Sequence, residues 1–209
     1  MDSSKSDPIH AYPSYSLADR KVHIIQNTEE LIKAVESLKS EKLLGFDSEQ
    51  KPTFKRNQAP HGIATIQIAS LKECYIFQVK QIDNLTALIE LLENEDIAKV
   101  GINLAGDNHA LHSEFGIRMK ATIEIDSVLS KLTSKESIGA KKAAKIFLKK
   151  DLQKSKKMST SNWENDTLSD SQIKYAAEDA AVALDITIHL LNRYPFVIET
   201  MPIWFKERV

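Results

Sequence analysis

The chain has 209 residues, 42% of them apolar, and a formal net charge of −1, a balance that fits one soluble globular domain with a single core. No apolar run approaches the ~20 residues of a membrane helix, and the N-terminus, with Asp2 and Asp7 among serines, lacks the pattern of a secretory or mitochondrial leader. One cysteine, Cys74, excludes an internal disulfide and fits a reducing compartment, so the expected location is intracellular, in nucleus or cytoplasm.

Residues 1–20 are polar, carry Pro8 and Pro13 and show no periodicity, which predicts a tail lying along the surface. Val22–Ile25 reads as a strand. Asn27 followed three residues later by Glu30 predicts a capping box opening a helix to Lys39, with Leu31, Val35 and Leu38 as its buried stripe. The next strand, Leu43–Glu49, ends in two carboxylates. After a polar loop with Pro52, Pro60 and Gly62, the β-branched run Ile63–Ala69 and the segment Tyr75–Val79 predict a hairpin. Leu85–Leu92 is expected to be helical, Lys99–Ile102 a strand, and Leu104–Phe115 a helix with Asn103 as N-cap and Gly116 as its stop. Ala121–Ile125 reads as a further strand, followed by helices. Ser169 and Gln172 form a second capping-box pattern, opening a long helix that runs to about Asn192 before Pro195. Strands interleaved with helices, without repeats or linkers, predict a mixed sheet flanked by helices in a single α/β domain over residues 21–194.

Asp47 and Glu49 are two apart on a strand and therefore share a face. Carboxylates held so close repel each other unless a proton or a cation lies between them, and a divalent metal is the expected occupant. Asp107 lies just inside the helix after Lys99–Ile102. An acid there is favoured by the helix dipole; alternatively that strand delivers it to the sheet edge where open α/β folds bind ligands. Tyr175 and Asp179 sit four apart on one face of the last helix, among Ala176, Ala177, Ala180, Ala181 and Ala183, so the helix can come close to the sheet. Four carboxylates in three segments match a two-metal phosphoryl-transfer site, and oxygen-only ligands select Mg²⁺ or Mn²⁺.

Phe46-Asp47-Ser48-Glu49, Val100-Gly101-Ile102-Asn103-Leu104-Ala105-Gly106-Asp107 and Tyr175-Ala176-Ala177-Glu178-Asp179 resemble, in order, the three exonuclease motifs of the DEDD superfamily in its tyrosine-bearing (DEDDy) branch. That branch includes ribonuclease D, polymerase proofreading domains and the Werner syndrome exonuclease, and Ser161-Asn162-Trp163-Glu164-Asn165 is similar to the Werner type. The resemblance spans residues 22–192. It implies a ribonuclease H-like mixed five-stranded sheet and a 3′–5′ exonuclease acting on DNA or RNA 3′ ends to release nucleoside 5′-monophosphates. It further implies that Asp47 bridges two metals, that Glu49 and Asp179 complete the first ion's shell, that Asp107 reaches the second, and that Tyr175 orients the attacking water. Gln50 and Ala105 depart from common patterns at positions that touch substrate. The competing expectation is a binding module that keeps the fold without the chemistry, as a subunit of a larger assembly.

Between Lys135 and Lys157 nine lysines stand against two acids. The lysines from Lys141 to Lys157, with Lys154, Lys156 and Lys157 singled out, are expected to form one wall of the substrate path, the alternative being a solvated face. His109 beside Asp107 either neighbours the substrate or is simply exposed, and Trp163 either stacks on a base or, as is commoner for a Trp between two helices, belongs to the core. Residues 195–209, with Phe196, Val197, Ile198, Ile203, Trp204 and Phe205, are too apolar for a free tail and are expected to pack on the domain or dock a protein partner.

Overall fold

The computed structural model describes residues 12–53, 61–133 and 138–207. The first eleven residues of the expected tail, Pro60 and the start of the lysine-rich stretch lie outside them. Six strands, β1 (Lys21–Ile25), β2 (Leu43–Gln50), β3 (Ile63–Ala69), β4 (Glu73–Gln78), β5 (Ala98–Gly101) and β6 (Thr122–Glu124), form one sheet in the order β1-β4-β3-β2-β5-β6. The five-stranded sheet implied by the resemblance is corrected to six, because β1 pairs in parallel with β4 along its whole length and takes one edge. The predicted hairpin is present: β3 and β4 are antiparallel, as are β2 and β3. On the other side β2, β5 and β6 run parallel, so β2 and β5 deliver their C-terminal ends to the same edge.

Alternation along β2 divides the core. Leu44 and Phe46 point to one face, beneath α1 (Thr28–Leu38), α2 (Thr86–Glu93) and α3 (Leu104–Phe115), where they meet Leu31, Val35, Leu88 and Leu111. The opposite face is covered by α4 (Ile125–Thr133), α5 (Ala140–Ala143, continued by a π-helical turn through Leu148) and α7 (Asp170–Arg193), the short helix α6 (Lys156–Ser159) intervening. The alanine-rich stretch of α7 is fully buried against β2, β3 and β4. Gly45 permits that approach: a Cβ at this position would lie 2.1 Å from the Ala180 carbonyl oxygen.

The caps are mostly local, as the spacing predicted. Asn27 Oδ1 accepts from the Glu30 amide at 2.9 Å, while Glu30 reaches back to the Gln26 amide at 3.0 Å. Ser169 and Gln172 make the reciprocal box at the start of α7. Asn103 is the exception. Its backbone is left-handed (φ 67°) and its side chain makes no cap bond. Instead Glu124, at the end of β6, accepts from the Asn103 and Leu104 amides at 2.9 and 2.7 Å. A carboxylate brought from a neighbouring strand thus takes two of the amides at the start of α3.

Both chain ends described are tied to the domain. Tyr15 is buried and its hydroxyl donates to Asp185 Oδ2 at 2.6 Å. Arg20 pairs with the same carboxylate through both terminal nitrogens and donates from Nε to the Ser70 carbonyl at 2.8 Å. Residues 12–20 therefore lie along the surface as a strap pinned to α7. At the C-terminus Val197, Met201 and Phe205, the last in α8 (Ile203–Lys206), are buried in one cluster with Val100, Ile123 and Ile186. Phe196 and Ile203 stay exposed.

Candidate active site

Asp47 and Glu49 project from β2 toward α7, on the same face as Gly45, and α7 returns Asp179 to them. One carboxylate oxygen from each of these three lies within 4.8 Å of the other two. Burial is the first cause that raises every one of their pKa values, and for Asp47 and Glu49 the charges of neighbouring acids add to it. Asp47 is held well above the ordinary carboxylate range by burial and by the charges of Asp179 and Asp107. Glu49 is pushed to about 9 by burial and the Asp47 charge. Asp179 is raised by burial, against the opposing pull of Lys154 and a hydrogen bond from Tyr175. Hard oxygen donors with surplus negative charge are the chemistry that fits a divalent cation.

Asp107 comes from the other side of β2. Ser48, which points away from its two acidic neighbours, donates from its hydroxyl to Asp107 Oδ1. Glu124 takes the Asn103 and Leu104 amides at the start of α3, and the Asp107 carboxylate accepts from its own amide as well as from Ser48. It stands outside the tight trio, yet its charge still raises both Asp47 and Glu49. Burial also raises Asp107 itself, and the Ser48 bond partly offsets that.

Tyr175 sits one turn before Asp179. Burial first, then the charges of Asp179 and Glu49, lift its phenol far above the ordinary value. The hydroxyl is therefore a donor at every physiological pH, suited to orienting a group and unsuited to removing a proton. Trp163 packs against this ring, centroids 6.1 Å apart, and is fully buried. Of the two readings of Trp163, its burial fits the core one and not base stacking: Gln172, locked by the cap of α7, donates to Ser161 Oγ and the Asn162 carbonyl at 3.0 and 3.1 Å and holds the segment against the helix. Trp163 thus has no free face.

The three lysines singled out in the sequence separate. Lys154 reaches the acids, pairing with Asp179 Oδ2 while its ammonium lies 5.3 Å from the Tyr175 ring centroid. Lys156 and Lys157 are exposed at the start of α6. Lys141 and Lys142 instead join Lys154, Asp47, Asp179, Phe46 and Ile102 around a cleft of about 430 Å³. His109 is exposed and borders a different groove, with Gln50, His61, Gly106 and Glu114.

A further hub has no local signal. Glu164, beside Trp163, receives Lys51 at 3.1 Å, His61 Nδ1 at 3.3 Å and Lys80, and the hydrogen bonds from Lys80 and Lys51 hold its pKa down to about 2. It joins the ends of the loop after β2 to the segment before α7. The sequence offers Lys51, His61 and Lys80 only as isolated residues, brought together by the sheet.

A mixed sheet whose central strand carries two acids against a helix that returns a third is the architecture of a ribonuclease H-like exonuclease domain. Ribonuclease D of Trypanosoma brucei in complex with RNA U12 shares that fold, with a TM-score of 0.73 and 20% identity over 84% of this chain and 64% of that one. A family model described as 3′-5′ exonuclease matches residues 22–194. The chain belongs to this 3′-5′ exonuclease family. It is 33% identical over 153 residues to the mouse bifunctional 3′-5′ exonuclease/ATP-dependent helicase WRN, covering 72% of this chain and 11% of that protein. An Arabidopsis thaliana 3′-5′ exonuclease is 28% identical over 156 residues, 72% of this chain and 54% of the relative. The chain thus spans about half or less of these relatives' length.

Proposed function

We propose that the chain is a metal-dependent 3′–5′ exonuclease that hydrolyses the terminal phosphodiester of DNA or RNA and releases nucleoside 5′-monophosphates. The observation that carries this reading is the convergence of Asp47, Glu49 and Asp179 oxygens within 4.8 Å, placed by two elements more than a hundred residues apart in sequence. Asp47, Glu49 and Asp179, with Asp107 adjoining, would hold two Mg²⁺ or Mn²⁺ ions. When bound, such ions offset the charge of the phosphate and favour ionisation of an attacking water.

The protein groups divide the remaining work. Tyr175, a phenol at all relevant pH, donates a hydrogen bond to hold the water in line with the phosphate. Lys141 and Lys142, on the rim of the cleft beside Asp47 and Asp179, neutralise phosphates and draw the strand in. Nucleic acid as substrate is supported by the ribonuclease D relative whose structure contains RNA. A cluster of buried and half-buried acids has no use in a module that only binds phosphates, which weighs against the non-catalytic reading.

The test uses 3′-structured and single-stranded DNA and RNA, labelled at the 5′ end and incubated with Mg²⁺ or Mn²⁺. The expected product is a ladder shortened from the 3′ end in single-nucleotide steps, absent with EDTA and absent with Asp47→Asn. Failure to shorten any of the four substrates, or equal activity in Asp47→Asn, overturns the reading.

A further inference from the structure

Lys154 is the one cation paired with the acidic trio among the described residues. Its ammonium meets Asp179 Oδ2, whose carboxylate is otherwise almost closed to solvent (4% side-chain exposure). The same ammonium lies over the face of Tyr175, and its charge opposes the raised pKa of Asp47 and Glu49 as well as that of Asp179. The lysine belongs to the extended segment between Leu148 and α6, held at Asp151 by backbone bonds to Pro13 and Tyr15 at 2.9 Å. Its own side chain is about one-third exposed, so the ammonium has a route out of the cluster into the cleft it shares with Lys141 and Lys142.

We infer that Lys154 is a tethered placeholder for a divalent cation: its ammonium and a metal ion hold the Asp179 carboxylate in alternation, and metal entry releases the lysine into the cleft. This rests on Asp179 serving as a metal ligand. A carboxylate oxygen can be shared, but an ammonium at contact distance from a buried oxygen repels a second cation at the same place. Without metal, the lysine limits repulsion among three close acids, Asp179 buried and Asp47 and Glu49 partly so. With metal, it becomes free to meet the phosphate that lies beside the ions. A lysine serving only as a static phosphate contact would neither stabilise the metal-free protein nor compete with metal.

The two roles make opposite predictions for one substitution. Lys154→Met keeps the aliphatic stem and removes the charge. In EDTA at pH 8 its melting temperature is expected to fall below that of the wild type. Its Mn²⁺ affinity, measured by electron paramagnetic resonance, is expected to rise by roughly three- to tenfold, the scale of a lost competing ion pair. Lys154→Arg, which keeps the charge, should resemble the wild type in both measurements and guards against a folding defect in the Met variant. Lys142→Met controls for the general field of the cleft and should tighten Mn²⁺ by clearly less. Equal tightening in Lys142→Met and Lys154→Met, or unchanged or weaker Mn²⁺ binding in Lys154→Met, overturns the placeholder role while leaving the metal site standing. If the wild type binds no Mn²⁺, both this inference and the metal-dependent reading fall.

Discussion

Gly45 and Ala180 are in backbone contact across the interface of β2 and α7, with no room for even a methyl group at position 45. That contact sets the distance between the strand that carries Asp47 and Glu49 and the helix that carries Asp179. Gly45→Ala is expected to destabilise by roughly 1–3 kcal/mol, the range for one carbon forced into a full core. Displacing α7 by about 1 Å should also lower kcat near 100-fold. Chemical denaturation and single-turnover kinetics together check this, and a variant with wild-type stability and rate would show that α7 is not held by this contact.

Asp47→Asn bears on pH as well as activity. The folded, metal-free protein keeps protons on this cluster that an unfolded chain releases above about pH 4.3, since Glu49 is raised to about 9 and Asp47 is also raised. The folded state thus binds more protons than the unfolded state across this window, and stability must fall as pH rises from about 5 to 9. Removing the Asp47 charge should flatten that fall. In EDTA the variant is expected to melt above the wild type at pH 8.5, with the gap closing toward pH 5. A gap of constant size would mean that repulsion within the trio does not act on stability.

Tyr175→Phe keeps the ring against Trp163 and removes only the hydroxyl. The single-turnover rate should drop roughly 10- to 1,000-fold, on the scale of one positioned catalytic group, while Mn²⁺ affinity stays close to wild type and the metal-free protein loses about 1 kcal/mol, because the hydroxyl also bonds Asp179. An unaltered rate would remove the hydroxyl from the chemistry.

The strap is a test of stability remote from the cleft. Arg20→Ala leaves Asp185 with Tyr15 alone and should cost about 2 kcal/mol, while Tyr15→Phe, which removes a single hydrogen bond, should cost about 1 kcal/mol. Because both act through Asp185, the double variant is expected to lose less than the sum. Urea denaturation of the three proteins decides it, and strict additivity would show that the two residues act separately.

Of the lysines expected to line the substrate path, Lys141 and Lys142 border the cleft beside Asp47 and Asp179, while Lys156 and Lys157 are exposed at the start of α6. Lys141→Ala with Lys142→Ala should weaken single-stranded binding for all sequences alike and reduce the slope of log affinity against log salt by about 0.7 per lysine. The pair Lys156→Ala with Lys157→Ala should change it little. Fluorescence anisotropy across a salt series distinguishes the two, and the reverse ranking would place the strand along α6.

The sequence by itself determined what depends on neighbours along the chain. Two acids at alternate strand positions must share a face, a residue pair four apart on a helix must do the same, and Ser169 with Gln172 can close a cap without help from elsewhere. These short-range rules placed Asp47 and Glu49 together, put Tyr175 and Asp179 on one side of α7, and drew the motifs in an order that named the family. Only the tertiary structure decided which long-range partner each remaining group meets. Asn103 has the composition of a cap, but β6 brings Glu124 to those amides first. Trp163 has the ring for stacking on a base, but the bonds of Gln172 seal it beneath α7. Three lysines look equivalent in a basic run, yet the chain path takes Lys154 alone to Asp179, and Lys51, His61 and Lys80 converge on Glu164 from three separate segments. The physical reason is common to all of these. Hydrogen bonds and ion pairs act over a few ångströms in space, and which groups come that close is set by how the strands pair and how the helices stack on them, not by spacing in the chain.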